Sequence, residues 1–492
     1  MGRTLMPAAA RLGGDATLLD VIAGVRSDND RPFVLDGDGG VVLTYGDAAR
    51  RSAQVAHAVR ARGLRPGDRL ALQVDKRIDA LLVYLACIRS GVALLPMNTG
   101  YTPSEVAHLV ADAEPALVLR DAALDELMDE AAGLDTTFAD HPSDPDDLAA
   151  ILYTSGTTGA PKGAMLSHRN LATNCFTLAD VWGFHGDDVL LHALPIFHTH
   201  GLFVATNCVL IAGASMVFLP RFEPDAVLRG LRRSTVMMGV PTFYTRLLAD
   251  DRFDADACAS VRLFISGSAP LLASVHTAFV ERTGQAILER YGMTETTMLT
   301  SNPLDGERRP GTVGFPLPAV DVRVVGDDGS VVETGGVGGI EVRGPNVFGG
   351  YWRRPELTAT EFTADGYFRT GDVGTFDADG YLHIVGRSKD LIITGGLNVY
   401  PKEVESVLDA MPGVLESAVI GVPDADFGEA VVAVVVAEAG ATIEPEVIRS
   451  ACREQLAAFK SPKRVHVVDA LPRNAMGKVE KAALRNAYGA TA

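Results

Sequence analysis

A loop of glycines, hydroxyl side chains and one lysine is the first feature of the chain that could do chemistry. It covers residues 153–163 and follows the apolar run 148–153. Backbone N–H groups and hydroxyls in such a loop can surround phosphate oxygens, and a lysine adds a positive charge. The spacing is not that of a Walker A motif, because Pro161 precedes the lysine, and an ordinary solvated turn is the alternative interpretation. The candidate phosphate ligands are Thr154, Ser155, Gly156, Thr157, Thr158, Gly159 and Lys162.

Three shorter motifs carry other groups that suit nucleotide chemistry. In Tyr-Gly-Met-Thr-Glu over residues 291–295, Thr294 can donate to a phosphate and Glu295 can bind Mg²⁺ through oxygen. The second motif is Tyr-Phe-Arg-Thr-Gly-Asp over residues 367–372, and the carboxylate of its Asp372 could accept hydrogen bonds from both hydroxyls of a ribose. The third motif, Pro-Arg-Asn-Ala-Met-Gly-Lys over residues 472–478, ends in Lys478 near the C-terminus. Each has an ordinary alternative when taken alone: an aspartate that caps a turn, or a lysine in solvent.

Composition excludes several classes of protein. The 492 residues are 47% hydrophobic and 22% charged, which is typical of a globular chain with a large core. The net charge of −18 argues against a nucleic-acid surface and against binding to an anionic membrane. Five widely spaced cysteines without a CxxC motif predict reduced thiols and a cytoplasmic location. The longest uncharged run, 202–220, contains polar residues and glycine, so we expect a buried helix and strand there, not a membrane span.

Alternating strand-like and helix-like runs predict an α/β fold. Residues 43–140 show this alternation, and it resumes after residue 187. Residues 311–386 are glycine-rich with short strands, which predicts an antiparallel β-rich subdomain. The last hundred or so residues predict a compact α+β domain. We therefore expect a large N-terminal domain over residues 1–387 and a small C-terminal domain over residues 388–492.

Together and in this order, the motifs resemble those of the acyl-adenylate-forming superfamily. This superfamily contains acyl-CoA synthetases, firefly-type luciferases and peptide-synthetase adenylation domains, and the resemblance covers roughly residues 40–485. It implies an ATP-dependent, AMP-forming ligase that joins a carboxylic acid to coenzyme A, with Mg²⁺ as metal. The acid and ATP are both anions, so cations and oriented donors must offset their repulsion.

The resemblance also implies a role for each motif. The glycine–hydroxyl loop would bind the β- and γ-phosphates, Thr294 and Glu295 would serve the α-phosphate and Mg²⁺, and Lys478 would bridge the carboxylate and the α-phosphate. Asp372 and Arg387 would hold the ribose. Adenine would lie between two segments and stack on the tyrosine of the second: Ser268, Ala269 and Pro270 on one side, and Glu289, Arg290 and Tyr291 on the other.

In this superfamily the C-terminal domain is mobile. The resemblance implies that residues 388–492 rotate about Lys389 between the two half-reactions, so that Lys478 leaves the acyl-adenylate. Gly395 and Gly396 would then let the pantetheine arm of coenzyme A pass. Lys478 is one of only eight lysines and lies on an expected exposed loop, so a lysine acetyltransferase is an expected partner that would remove its charge.

The acid substrate depends on a second set of residues. Arg246 lies in the otherwise apolar run 234–248, and a buried guanidinium favours a carboxylate ligand. Alternatively, Arg246 could reach solvent or pair with Asp250 four residues later. Runs 194–207, 239–248, 264–272 and 288–296 resemble the malonyl-CoA synthetase branch, which uses a dicarboxylic acid.

That resemblance implies that Arg246 and Ser268 hold the distal carboxylate, with Arg290 as the second choice. His198 would line the pocket, and Thr206 and Met293 would limit the 2-substituent. The predicted function is a malonyl-CoA synthetase that also accepts methylmalonate. Another short-chain or aryl acyl-CoA synthetase is the nearer alternative, and a non-catalytic nucleotide-binding scaffold is the more distant one.

Overall fold

The computed structural model describes residues 15–24, 29–155, 161–395, 397–424, 427–474 and 477–489. Four of the seven predicted phosphate ligands lie outside these ranges, as does one of the two glycines predicted to contact coenzyme A. The predicted site residues outside the described ranges are Gly156, Thr157, Thr158, Gly159 and Gly396. The remaining predicted site residues can be placed.

The largest layer is a nine-stranded sheet with the strand order β14-β13-β12-β11-β10-β8-β9-β1-β2. Its six central strands are parallel, and antiparallel pairs close both ends. Strands β8 to β11 are almost wholly buried, as expected for parallel strands covered on both faces. The strands are β1 Pro32–Leu35, β2 Val41–Thr44, β8 Val189–His192, β9 Ser215–Phe218, β10 Val236–Gly239, β11 Leu263–Ser266, β12 Leu288–Met293, β13 Thr297–Ser301 and β14 Phe315–Pro316.

A second sheet has five strands in the order β5-β3-β4-β6-β7. Its strands are parallel except for the last pair, which is an antiparallel hairpin. This arrangement confirms the alternation predicted for residues 43–140. The strands are β3 Arg69–Gln73, β4 Ala93–Pro96, β5 Leu117–Arg120, β6 Leu148–Ser155 and β7 Pro161–Ser167.

Helices connect the strands of these sheets, and local signals set their ends. Thr44 and Asp47 form a capping box at the start of α2, and Gly91 ends α3 in the left-handed conformation. Helix α3 is buried on every side from Ala80 to Ser90. The helices of this domain are α1 Leu18–Val21, α2 Tyr45–Ala61, α3 Ile78–Ser90, α4 Pro103–Ala113, α5 Asp121–Ala131, α6 His168–Val181, α7 Asn207–Ala212, α8 Pro224–Leu231, α9 Pro241–Leu248 and α10 Ala273–Thr283.

The uncharged run 202–220 is the helix and strand that its composition predicts. A π-helix over His200–Thr206 continues into α7, and β9 follows. In the described part of the chain, no helix is long and apolar enough to cross a membrane. All five cysteines are buried and free, as their spacing predicts.

The β-rich subdomain is an antiparallel sheet of four strands, as its glycine-rich sequence predicts. One short helix packs beside it and ends at Glu361. Its elements are β15 Asp321–Val325, β16 Gly338–Arg343, α11 Pro355–Glu361, β17 Phe368–Phe376 and β18 Leu382–Arg387.

The C-terminal residues form a separate α+β layer, which confirms the predicted fold class. Strands β20, β19, β22 and β21 pair in that order, and β23 joins β22. The hydrophobic core of the preceding sheets extends to Leu382, whereas two further core clusters begin at Ile392 and Ala418. The elements are β19 Ile392–Thr394, β20 Leu397–Val399, α12 Pro401–Asp409, β21 Val414–Asp424, β22 Gly428–Ala437, α13 Pro445–Gln455, β23 Arg464–Val468 and α14 Lys481–Tyr488.

Candidate nucleotide and acid site

The ends of the predicted phosphate loop are held by a β-hairpin. Strands β6 and β7 pair Thr154 with Lys162 and Ser155 with Pro161, and the helix begins only at His168. The sequence predicts a helix from Ser167, where the structure has the N-cap, and it does not predict the strand β7. Strand β7 forms because Pro161 is tolerated as a first strand residue and the next residues pair along β6. The predicted loop therefore connects two antiparallel strands.

Lys162 has two protein partners that the motif itself does not reveal. Its side chain is buried, with Nζ 3.3 Å from Glu361 Oε1 and 4.3 Å from the centre of the Tyr351 ring. Tyr351 and Glu361 lie about 190 and 200 residues further along the chain. No local pattern links either residue to the loop, because strand pairing between residues 164 and 351 creates the contact.

Glu295 lies at the centre of the hydroxyl groups beside this loop. It is buried, and its Oε1 accepts hydrogen bonds from Tyr351 Oη at 3.0 Å and Thr154 Oγ1 at 3.3 Å. Thr294 is half-buried in the same turn. No described group of three or more His, Cys, Asp or Glu side chains could hold a metal ion. A single carboxylate suits Mg²⁺, which keeps waters and binds substrate phosphates besides one or two carboxylates.

The structure brings together three of the residues predicted for the ribose and adenine. Asp372 and Arg387 are opposite each other on β17 and β18, and Arg387 Nε lies 2.9 Å from Asp372 Oδ1. The Tyr291 hydroxyl donates to Asp372 Oδ2 at 2.5 Å. Burial and the charge of Asp372 raise the pKa of Tyr291, so its phenol stays protonated. Both carboxylate oxygens are therefore oriented by neighbours.

Glu289 and Arg290 are consecutive on β12, so their side chains point to opposite faces of the sheet. Burial raises the pKa of Glu289 to about 8, and its Oε1 accepts the Leu271 N–H at 3.1 Å. Burial lowers the pKa of Arg290 to about 9. A Cβ on Gly267 would lie 2.3 Å from Arg290 Cζ, so glycine at 267 makes room for the guanidinium. Within the described ranges, neither Nε nor Nη2 of Arg290 has a hydrogen-bond acceptor.

Two neutral histidines and a strained serine surround this guanidinium. Burial, followed by the charges of Lys478 and Arg290, lowers the pKa of His198 to about 3, and burial and Arg290 also lower the pKa of His200. His200 Nδ1 lies 3.2 Å from Ser268 Oγ. Ser268 has a φ of 70°, an unfavourable value for a residue with a Cβ and one that is frequent at functional sites. Of the other two predicted adenine neighbours, Ala269 is half-buried and Pro270 is exposed.

Arg246 is exposed, which corrects the expectation of a buried guanidinium at this position. Its Cζ lies 6.0 Å from the centre of the Phe222 ring, and Asp250 pairs with Arg252 at 2.6 Å instead. The reason is the helical period of α9, which turns Tyr244 and Leu247 into the core and leaves the arginine outside that face. The run 234–248 is apolar because most of its buried residues are apolar, and Arg246 is not one of them. The buried arginine of the site is the second choice, Arg290.

Hydrogen bonds fix the backbone of the π-helix, which carries Thr206, one of the residues predicted to line the acid pocket. Thr206 is buried, and its Oγ1 donates to the Gly201 carbonyl at 3.0 Å. His192 Nε2 lies 2.9 Å from the same carbonyl, and Lys76 Nζ donates to the His192 carbonyl at 2.7 Å. The sequence gives no signal for Lys76, which reaches the end of β8 from a distant loop. Met293, the other predicted limit on the 2-substituent, is half-buried at the end of β12.

Lys478 reaches this site from the C-terminal domain. A Cβ on Gly477 would lie 3.2 Å from Thr242 Oγ1, so the lysine loop touches the start of α9. The Lys478 side chain keeps solvent access, yet protein surrounds it in the cleft. Desolvation, followed by the charge of Arg387, lowers the pKa of Lys478 to about 8. The negative charges of Asp372 and Glu295 act in the opposite direction and raise this pKa, but by less. The lysine thus shares one electrostatic environment with the predicted nucleotide residues.

The predicted hinge and the predicted coenzyme A loop lie close in sequence. Lys389 is in a short 3₁₀ helix over Ser388–Asp390, and Arg485 Nη2 lies 2.5 Å from Asp390 Oδ1. Gly395 has a φ of 56°, and its N–H donates to the Phe427 carbonyl at 2.8 Å. A glycine suits this left-handed position.

Known protein families and individual relatives match most of this chain. Residues 23–352 match the family described as "AMP-binding enzyme", and residues 403–478 match "AMP-binding enzyme C-terminal domain". A feruloyl-CoA synthase from Amycolatopsis is 39% identical over 92% of this chain and 95% of its own. A malonate–CoA ligase from Arabidopsis thaliana is 36% identical over 85% of this chain and 78% of its own.

One relative has been solved in two crystal structures. The ATP-bound structure of MatB from Rhodopseudomonas palustris is 52% identical, covers 96% of this chain and 99% of its own, and superposes with a TM-score of 0.92. The apo structure of that protein, also 52% identical, covers 97% of this chain and 99% of its own with a TM-score of 0.83. The present structure therefore resembles the ATP-bound crystal more closely.

The lowered pKa of Lys478 predicts a pH limit on adenylation. In the role that the sequence predicts for Lys478 the ammonium is the active form, so kcat/KM for ATP–pyrophosphate exchange should fall as pH rises through about 8. In Lys478→Arg the guanidinium stays charged, so this basic limb should move up to about 9, where Arg290 loses its charge, even if the rate is lower. Exchange rates measured from pH 6 to 10 test this, with Lys481→Arg as the control. The same basic limb in Lys478→Arg would contradict the assignment.

Proposed function

The chain belongs to the AMP-binding enzyme family and is an AMP-forming acyl-CoA ligase that uses ATP, Mg²⁺ and coenzyme A, and we propose that its acid substrate is malonate. Methylmalonate is proposed as a second substrate. Membership of this family replaces the scaffold alternative from the sequence, because the matched relatives are named for CoA ligation. The remaining question is which acid the pocket takes.

The observation that carries the proposal is the unpaired guanidinium of Arg290. It is 3% exposed, and two of its nitrogens have no acceptor among the described residues. A buried charge without a partner is costly, and a carboxylate that binds it in two places would satisfy it. The carboxylate that reacts at the α-phosphate is expected beside Lys478, so Arg290 calls for a second one. A small diacid supplies both.

The surroundings of Arg290 support a short substrate. His200 and Ser268 are hydrogen-bonded to each other beside it, so the pair has one proton left for a carboxylate oxygen. That proton is on His200 Nε2 when the Ser268 hydroxyl donates to Nδ1, or on Ser268 when His200 Nδ1–H donates to Oγ. Phe222 and Phe243 stack with ring centres 4.2 Å apart on the side of α9. One relative is a malonate–CoA ligase, whereas the feruloyl-CoA synthase favours an aryl acid as the competing candidate. A feruloyl group would bring no second carboxylate to Arg290.

In the proposed first half-reaction, a carboxylate oxygen of the acid attacks the α-phosphorus of ATP and pyrophosphate leaves. Lys478 would neutralise charge between the carboxylate and the α-phosphate, and Thr294 would donate to that phosphate. Thr154 and Lys162, at the two ends of the loop, would bind the β- and γ-phosphates. Asp372 and Arg387 would hold the ribose. The contribution of Glu295 would be an oxygen ligand for the Mg²⁺ that accompanies ATP.

The second half-reaction needs Lys478 to leave. The thiol sulfur of coenzyme A must attack the acyl carbonyl, and AMP then departs with its phosphate oxygen. We propose that residues 388–492 rotate about Lys389 as one unit and bring Gly395 to the thiol path. The separate hydrophobic cores on either side of residues 382–392 support this division. Rotation between two such units needs few broken contacts within either of them.

A cytoplasmic location is part of the same proposal. All five cysteines are free and buried, and burial raises the pKa of Cys87 and of Cys258 to about 12. Thiols of this kind stay unreactive in a reducing compartment.

The proposal predicts the order of substrates in ATP–pyrophosphate exchange. Malonate should give the highest kcat/KM, methylmalonate should follow, and succinate, acetate, octanoate, ferulate and 4-coumarate should be at least about tenfold worse, because none places a second carboxylate at the same distance. Each acid is measured at equal ionic strength. Faster exchange with ferulate or acetate than with malonate would contradict a dicarboxylate site.

Removal of the buried guanidinium should separate diacids from monoacids. Arg290→Ala should lose about 2–5 kcal/mol of binding to malonate, or roughly 1.5 to 3.5 powers of ten in kcat/KM. Acetate, which has no distal carboxylate, should change far less. Arg290→Lys keeps the charge and tests for bidentate geometry, and Arg252→Ala is the surface control. An unchanged malonate rate in Arg290→Ala would refute the assignment, and an equal loss in Arg246→Ala would show that both arginines bind the distal carboxylate.

We also propose Lys478 as the target of a lysine acetyltransferase. Its side chain keeps solvent access, and an acetyl group removes the charge on which adenylation depends. Enzyme made with acetyl-lysine at position 478 should lose ATP–pyrophosphate exchange and retain ATP binding. Acetyl-lysine at position 481, where the lysine pairs with Glu405, is the matched control. Equal exchange by modified and unmodified enzyme would end this proposal.

A further inference from the structure

A carboxylate competes for the lysine of the proposed phosphate site. Glu361 Oε1 lies 3.3 Å from Lys162 Nζ, in an ion pair that links the end of α11 to the start of β7. We propose that Glu361 is a positioning residue that holds Lys162 when no triphosphate is bound and thereby limits the affinity for ATP. This inference rests on the proposed role of Lys162 in binding the β- and γ-phosphates.

The backbone on both sides of the pair is fixed, so the choice between carboxylate and phosphate is left to the lysine side chain. Trp352 N–H donates to the Gly163 carbonyl at 2.7 Å, and Met165 N–H donates to the Gly350 carbonyl at 3.0 Å. These bonds attach β7 to the segment that leads into α11. The lysine ammonium also lies over the Tyr351 ring, with Nζ 4.3 Å from the ring centre. A flexible four-carbon stem can still turn its ammonium from one anion to another.

Glu361 is the last residue of α11, where the helix dipole is negative. A carboxylate there is disfavoured by its own helix and gains from a nearby cation. The exposed fractions of the two side chains are 9% for Lys162 and 26% for Glu361, so water screens the pair only in part. An incoming triphosphate must therefore break or share an interaction that is stronger than a fully exposed ion pair.

This competition acts on the β- and γ-phosphates alone. AMP has neither, so its binding should not depend on Glu361. Pyrophosphate has both, so re-pairing of Lys162 with Glu361 would help it leave after adenylation. The pair would thus weaken binding of ATP and of pyrophosphate by the same contact while leaving AMP unchanged.

The test is equilibrium binding of ATP, pyrophosphate and AMP to the whole protein by isothermal titration calorimetry. Glu361→Gln and Glu361→Ala should each bind ATP and pyrophosphate about 3- to 10-fold more tightly, the range expected for a partly screened ion pair, with the Kd for AMP unchanged. Glu356→Gln, an exposed residue in the first turn of the same helix, is the matched control for net charge and should bind all three like the original protein.

Lys162→Gln separates this inference from the function on which it rests. Alone, it should weaken ATP binding, and in its background Glu361→Gln should have no further effect. Unchanged ATP binding in Lys162→Gln would overturn both the phosphate assignment and the competition. Weaker binding in Lys162→Gln together with unchanged or weaker ATP binding in Glu361→Gln would overturn the competition alone. The competition would also be overturned if the Glu361 variants bound AMP more tightly by the same factor as ATP, or if Glu356→Gln bound ATP as tightly as Glu361→Gln does.

Discussion

Repulsion between a carboxylate and the phosphates of ATP is the physical constraint on which the cleft depends. The two cannot approach in water-like surroundings unless cations are held between them. The chain has a net charge of −18, so these cations must be local. Lys478 and Arg290 lie in one cleft, where desolvation lowers the pKa of Lys478 to about 8 and of Arg290 to about 9. Both groups are kept charged near neutral pH at the cost of being partly desolvated and mutually repelling.

The cations of the cleft differ in whether the protein provides a carboxylate partner for them. Arg387 has a fixed protein partner in Asp372, and Lys162 has one in Glu361, so both are neutralised by their own neighbours. Arg290 has no described acceptor on two of its nitrogens, which is the arrangement expected of a ligand-binding guanidinium. His198 and His200 beside it are neutral, because burial and the adjacent cations disfavour their charged forms. The difference between paired and unpaired cations thus distinguishes the proposed nucleotide-binding groups from the proposed acid site.

Strand β12 and the turn after it carry residues of both the proposed acid site and the proposed nucleotide site. Its alternation turns Glu289 to one face and Arg290 to the other, and the turn that follows it carries Thr294 and Glu295. The strand forms the last parallel pair of the nine-stranded sheet with β11, and its other neighbour, β13, is antiparallel to it. Ligands commonly bind at such ends of parallel strands, because loops from neighbouring strands meet there. The acid side and the α-phosphate side of the site are therefore only a few residues apart.

The sequence by itself determined the order of elements, the α+β character of the C-terminal part, and the residue types needed at the nucleotide site. These features depend on neighbours within one or two turns or on alternation along a strand, so local patterns suffice. The strand over 161–167 was missed because its pairing partner, and not its own composition, fixes it.

Burial and pairing of charged side chains were decided only by the tertiary structure. Arg246 lies in an apolar run yet is exposed, and Arg290 lies in a polar one yet is buried, because the packing of α9 and β12 sets the direction of each side chain. The contacts of Lys162 with Tyr351 and Glu361 join residues nearly 200 positions apart. Charge balance in a cleft is a property of groups that fold together from distant segments, and no spacing within a single segment encodes it.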